Sequence, residues 1–272
     1  MLKRIITGAG LVLFTVIFFL LRNIQTVLFE IFVLILATLG SFEVARATGE
    51  RTTFMQKASA VAVSAASVPV CWYFREQGIL WVYGAGVLLQ LSLLVLQYKI
   101  TTLEGAGLGL LATFYPSFLL LFMSYANALT EYSLIAMILI FVISPFADTF
   151  AYFIGYAFGK RKLCEEISPK KTIAGGIGGI FGGILGAIGV WAVFAFAVKA
   201  QTPSVILFII TGVLGSLLTE FGDLAESAFK RKIGIKDMGN ILPGHGGIMD
   251  RIDSILFTCP LVYVCFAIAI TL

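Results

Sequence analysis

Carboxylates in the second half of the chain are spaced for joint work. In LLTEFGDLAESAFKRK, Glu220, Asp223 and Glu226 recur every third residue and Ser227 follows Asp223 by four. A helix would carry all of them on one face. Asp250 and Asp253 repeat the three-residue interval in MDRID, and Asp148 stands in SPFADTFAYFIGY. Acids gathered in this way repel one another unless a cation or a basic partner intervenes, and an all-oxygen set suits a hard divalent cation such as Mg²⁺. Between the two acidic groups lie Lys230, Arg231, Lys232 and Lys236. After them comes PGHGG, which holds the only histidine, His245, between Gly244 and the Gly246–Gly247 pair. Cations beside a glycine-rich backbone that can approach a ligand closely are suited to phosphate groups.

Each residue has a plainer role to weigh. Asp250 could simply cap the helix that follows. Glu226 reads as part of a solvated face, whereas Asp223 is surrounded by Leu217, Leu218 and Phe221. Asp148 could sit in one buried ion pair or line a substrate or metal cavity. The basic cluster alone would serve as a topology signal, which leaves PGHGG unexplained. Glu30, isolated in its apolar run, reads as structural.

These groups must be held by a membrane protein. The chain has 272 residues, 59% hydrophobic and 12% charged, against about 25% charged in soluble domains. Nine apolar runs are long enough to cross a bilayer: 4–21, 24–45, 57–74, 79–98, 105–125, 132–158, 172–198, 204–226 and 250–271. The third, rich in Ala and Ser, is the weakest. The expectation is an all-α polytopic integral membrane protein, with residues 1–130 as a scaffold offering dimer contacts and 131–272 as the catalytic region. The first run, behind Lys3 and Arg4, resembles a signal peptide but has no A-x-A-like site after it and is expected to be retained.

Basic residues orient the spans. With the N-terminus in the cytoplasm, sixteen fall inside: Lys3, Arg4, Arg46, Arg51, Lys57, Lys99, Lys160, Arg161, Lys162, Lys170, Lys171, Lys230, Arg231, Lys232, Lys236 and Arg251. Only Arg22, Arg75 and Lys199 fall outside. This asymmetry predicts N-terminus in and C-terminus out. The 159–171 and 227–249 segments then face the cytoplasm. Cys71, Cys164, Cys259 and Cys265 form no C-x-x-C pair and imply neither disulfide nor zinc.

Two further stretches bear on the site. In ISPKKT, Ser168 and Pro169 look like a helix opening that places Lys170 and Lys171 at the positive end of the dipole, an anion site. The glycines from Gly175 to Gly189 include GxxxG pairs and are read as a close-packing stripe. Pro145 is expected to kink its helix.

The stretch Ser227–Asp253, SAFKRKIGIKDMGNILPGHGGIMDRID, closely resembles the signature of the phosphatidate cytidylyltransferases, S-x-x-K-R-x4-K-D-x-[GSA]-x2-[LIF]-P-x-H-G-G-x-x-D-R-x-D. ADTFAYFIGYAFGK and ISPKKT are similar to family segments as well. Ile173 and Ala174 stand where the family pattern continues with an aromatic residue and a Glu, so no role carries over for that Glu. The resemblance is strong over 144–253 and rests on helix content before that.

The resemblance implies that CTP and phosphatidate react to give CDP-diacylglycerol and pyrophosphate in phospholipid biosynthesis. It implies Mg²⁺ held by Asp223 and Asp250, with Asp253 as a third candidate, and leaves open a second, monovalent cation. Asp148, Lys171, Asp223 and Asp250 form the expected catalytic set, with Asp148 paired to Lys171. Ser168, Lys170, Lys230, Arg231, Lys236, His245, Gly246, Gly247 and Arg251 are assigned to substrate. A homodimer in the cell's inner or plasma membrane is expected, with no nucleic-acid partner. The order D-G-x2-A-R-x8-G-x3-D-x3-D of the CDP-alcohol phosphatidyltransferases is absent. A CTP-dependent lipid kinase and a secondary transporter using Asp148 remain as alternatives.

Overall fold

A computed structural model describes the backbone of residues 2–271 and the side chains of residues 6–271. The Lys3 and Arg4 side chains and Leu272, all used in the sidedness argument, lie outside the described residues. Nine helices among the described residues are long and apolar enough to cross a membrane, as expected for a multi-pass membrane protein. They are α1 (Leu2–Ile24), α2 (Thr26–Ala47), α3 (Phe54–Phe74), α4 (Glu76–Leu96), α5 (Leu103–Asn127), α6 (Ser133–Phe158), α7 (Ile173–Ala192), α8 (Val205–Ile233) and α9 (Met249–Thr271). A π-helical turn, Val193–Val198, extends α7. None of the four cysteines forms a disulfide among the described residues.

The weak third run is a helix that is capped at its start and hydrogen-bonded to its neighbour α4. Thr53 caps α3 by accepting from the Gln56 N–H, while Gln56 Oε1 accepts from the Thr53 N–H at 2.9 Å. Gln90 of α4 donates to the Gln56 carbonyl at 3.0 Å, and Tyr83 donates to Ser117 of α5 at 3.0 Å. In lipid, apolar contact gives helices little reason to associate, so such bonds and close packing take over.

The chain forms two compact units. One comprises Met1–Ser124 with Ile233–Arg251, and the other Tyr125–Lys232 with Ile252–Leu272. The glycine-rich loop therefore packs with the N-terminal helices, although a division of the sequence at 130/131 places it with the C-terminal ones. In the second unit α6 runs through Pro145 and packs extensively on α7. The glycine stripe makes this possible. A Cβ at Gly175 would lie 2.8 Å from the Ala151 carbonyl of α6, and one at Gly212 of α8 would lie 2.8 Å from Ile184 Cα. Close packing by these glycines is thus what the structure shows.

ISPKKT differs from the sequence expectation. Ser168–Thr172 is a strand, β2, paired antiparallel with β1 (Lys162–Cys164), with Lys162 opposite Thr172 and Cys164 opposite Ser168. This hairpin is the exception to an otherwise helical protein. Ser168 caps nothing. Thr172 caps α7, accepting from the Gly175 N–H at 3.1 Å. Pro169 is tolerated in a strand with a free edge, where its missing N–H is not needed. Strand alternation leaves Lys170 exposed and turns Lys171 partly inward.

Candidate active site

Two cavities hold most of the predicted residues, one in each unit. The first lies in the second unit and has a volume of about 580 Å³; α6, the hairpin, α7 and α8 line it. Asp148, Tyr152 and Tyr156 come from α6, Lys162, Lys170 and Lys171 from the hairpin, and Glu220 and Asp223 from α8. The strand register aims Lys171 at α8. Its Nζ stands 2.8 Å from Asp223 Oδ2 and 3.1 Å from Glu220 Oε1, and it donates to the Glu220 carbonyl at 3.4 Å. Burial alone would lower the lysine's pKa, but Asp223 and Glu220 hold it above the ordinary lysine value. The basic partner that the acidic face of α8 requires is therefore Lys171. Asp148 lines the same cavity but forms no ion pair with Lys171 among the described residues, so the expected direct pair is replaced by Lys171–Asp223 and Lys171–Glu220.

Further along α8, Ser227 donates to Asp223 Oδ1 at 3.3 Å. Glu226 does not lie on a solvated face. It is 0% exposed, and its Oε2 accepts from Lys230 Nζ at 2.7 Å. Its side chain faces that of Asp253 on α9. Gly222 admits the close approach of α9, since a Cβ there would lie 2.6 Å from the Asp253 carbonyl.

The second cavity, of about 600 Å³, is formed within the first unit by Lys236–Gly246 and Arg251. A turn closes it: the His245 N–H donates to the Leu242 carbonyl and the Leu242 N–H to the Gly246 carbonyl, both at 2.9 Å. Gly244 and Gly246 adopt φ of 79° and 86°, a region that glycine enters without steric cost. Lys236, His245 and Arg251 are the basic side chains that line this cavity. Asp250 holds the base, its Oδ2 accepting from the Gly247 N–H at 2.8 Å and the Met238 N–H at 3.0 Å. Ser168, Lys230 and Arg231 line neither cavity.

Among the described residues, no three His, Cys, Asp or Glu side chains are grouped closely enough to hold a metal by themselves. The donor chemistry nevertheless fits Mg²⁺, which commonly takes one or two carboxylates and completes its shell with water and substrate phosphates. A cavity that presents Asp148, Glu220 and Asp223 beside lysines offers such oxygens.

The model of the cytidylyltransferase family matches residues 2–269. The chain belongs to this family. Its relatives include the phosphatidate cytidylyltransferase of Bacillus subtilis (strain 168), 34% identical over 280 residues that cover 98% of each chain. The phosphatidate cytidylyltransferase of Staphylococcus epidermidis is 48% identical over 122 residues, 45% of each chain. That of Staphylococcus aureus (strain COL) is 46% identical over the same length and share. These matches favour neither a lipid kinase nor a transporter.

Within this cytidylyltransferase, sequence reasoning missed two things. Glu43 of α2, 1% exposed, accepts from the Met249 N–H at the start of α9. The signal was available, because Glu43 lies inside the 24–45 run and carries the same cost in lipid as Glu30. Tyr152 and Tyr156, one turn apart and stacked with ring centres at 6.4 Å, had no signal beyond their position near Asp148.

Proposed function

We propose that this protein transfers the cytidylyl group of CTP to phosphatidate, giving CDP-diacylglycerol and pyrophosphate. The observation that carries the reading is the glycine loop. The Lys236–Arg251 part of the signature forms a cavity lined by Lys236, His245 and Arg251, with Asp250 bonded to the loop backbone beneath it. A phosphatidate oxygen attacks the α-phosphorus of CTP, and the bond from that phosphorus to the bridging oxygen breaks as pyrophosphate leaves. The nucleophile needs no protein base, because a phosphate monoester has its second pKa near 6 and is largely deprotonated at neutral pH. His245 therefore serves as a phosphate contact. The protein's task is to position two anions and stabilise the leaving group. Lys236 and Arg251 suit the triphosphate, and Lys170 and Lys171 suit a phosphate in the acid-lined cavity. Asp223 and Asp250 are assigned to Mg²⁺, with Asp253 as a third candidate; when bound, the ion neutralises charge on the triphosphate.

The sixteen-to-three distribution of basic residues supports a cytoplasmic site, with the N-terminus in and the C-terminus out, in the cell's inner or plasma membrane. Single cysteines placed at 232–240 should resist an impermeant thiol reagent in intact cells; outside labelling there would overturn the sidedness. Crosslinking in native membranes tests the homodimer that forms part of the same reading. The reaction is tested with CTP and phosphatidate in detergent micelles. Pyrophosphate release with CMP joined to lipid supports the proposal. Release of CDP would make the protein a kinase, and no CTP turnover would remove the reading. Chelation of divalent ions should stop transfer, and Mg²⁺ should restore it.

A further inference from the structure

Glu43 lies in the part of the chain expected to be scaffold, yet its carboxylate is built into the glycine loop. Oε2 accepts from the Met249 N–H at 2.9 Å, and a second hydrogen bond comes from the Ile248 backbone. N–H groups at a helix start have no partner within the helix. Glu43 supplies one to α9 from 206 residues away. The carboxylate also explains two glycines. At Gly239 and at Gly247 the three atoms nearest to an added Cβ all belong to Glu43, and a methyl group at either position would overlap its carboxylate. Neither glycine has a positive φ, so the space taken by Glu43, and not backbone freedom, accounts for them. One turn earlier on α2, a Cβ at Gly40 would lie 3.2 Å from Met249 Sδ, so the helix backbone itself approaches the start of α9.

Capping α9 accounts for only part of this acid. Its Oε1 is buried with no hydrogen-bond partner, and a buried acceptor left unsatisfied costs free energy that an apolar side chain would not. What the carboxylate does is bond the loop at Ile248–Met249 and pack against it at Gly239 and Gly247, near its two ends. Asp250 grips the same stretch through Met238 and Gly247. We propose that Glu43 is a positioning residue: it fixes the 236–251 loop so that Lys236, His245, Arg251 and Asp250 keep their places. This rests on the reading of that loop as the phosphate-handling part of a cytidylyltransferase. Glu43 itself touches no substrate.

The test separates reach from charge in the full-length protein. Glu43→Gln keeps the length and an acceptor oxygen, while Glu43→Asp keeps the charge and falls one methylene short. Glu43→Gln is expected to retain kcat/KM within about fivefold, the scale of one altered hydrogen bond. Glu43→Asp should lose about 100-fold, the scale of a reacting group displaced by about 1 Å, with KM for CTP rising as well as kcat falling. Rapid tryptic cleavage after Lys236 should accompany the loss, because a released loop opens locally. Gly247→Ala should cause the same defects with Glu43 in place. Combining it with Glu43→Ala should add little beyond Glu43→Ala alone, since the methyl then has nothing to overlap. A Glu43→Gln variant as inactive as Glu43→Asp would overturn the proposal by giving the charge a direct role. So would a Glu43→Asp variant with normal turnover and normal cleavage at Lys236. If the wild type transfers no CMP to lipid, the functional reading fails, yet the cleavage rates still report whether Glu43 holds the loop.

Discussion

The cavity of the second unit and the glycine loop of the first hold their polar groups by opposite means. In the second unit, side chains are matched to side chains: Lys171 to Glu220 and Asp223 in the cavity, and Lys230 to Glu226 further along α8. Charges there are largely cancelled before any ligand arrives, and glycines on α7 draw the helices to backbone distance. In the loop, the buried Glu43 and the half-buried Asp250 are matched to backbone N–H groups of Met238, Gly247, Ile248 and Met249. The loop's cations, Lys236 and Arg251, stay exposed. The first arrangement resembles a preorganised cradle whose groups are already oriented. The second is a rigid base carrying free charges, suited to a ligand that brings its own negative charge.

The largest effects are expected where each arrangement supplies a carboxylate. Asp223→Asn and Asp250→Asn should each lower CTP turnover by at least about 100-fold, as expected when a charge required in the transition state is removed. Both N–H bonds at Asp250 go to a single oxygen, so Asn can keep them and the protein should remain folded. Near-normal turnover in Asp250→Asn would reduce that residue to an anchor and end the parallel between the two regions.

Lys171→Met should both cripple turnover and destabilise the second unit by about 3 kcal/mol, since it leaves two partly buried acids unpaired. Thermal melts in detergent give the second quantity. The pKa of Lys171 is raised in the folded protein, so its stabilising effect is full below the ordinary lysine value and is lost as pH rises through the folded one. The difference from Lys171→Met should therefore shrink at strongly alkaline pH. Asp148→Asn should lower turnover without the stability loss, because it breaks no ion pair.

Glu226→Gln is expected to cost about 1–3 kcal/mol in the same melts, because the partly buried Lys230 loses the carboxylate it faces. Read as a solvated face, Glu226 would be nearly neutral to substitution; the buried pair reverses that expectation. The smallest effect belongs to Arg231→Ala, which should stay within about 0.5 kcal/mol because the side chain is exposed and outside both cavities.

The nine spans were legible because lipid leaves a crossing chain few options. The loop was legible because its residues are contiguous. Local signals failed at Ser168, where a helix opening and a strand ending at Thr172 both satisfy the rules; pairing with Lys162–Cys164 decides between them. They failed at Lys171 and Glu226 because a partner on another element, or burial by one, does not show in spacing. Glu43 asks more still, a contact across 206 residues that gives meaning to two glycines with ordinary backbone angles.

Lys230 leads a double life in time. During membrane insertion the chain is read before it folds, and a lysine near the end of a hydrophobic segment counts as a full positive charge that holds its flank on the cytoplasmic side. Once α8 has found its place, the same ammonium faces Glu226 at 2.7 Å and the two charges cancel. Arg231 and Lys232 stay exposed and keep that signal in the mature protein. On the proposed cytoplasmic placement of this segment, one residue serves first as an address and later as an internal tie, and replacing it should disturb biogenesis and folding at separate stages.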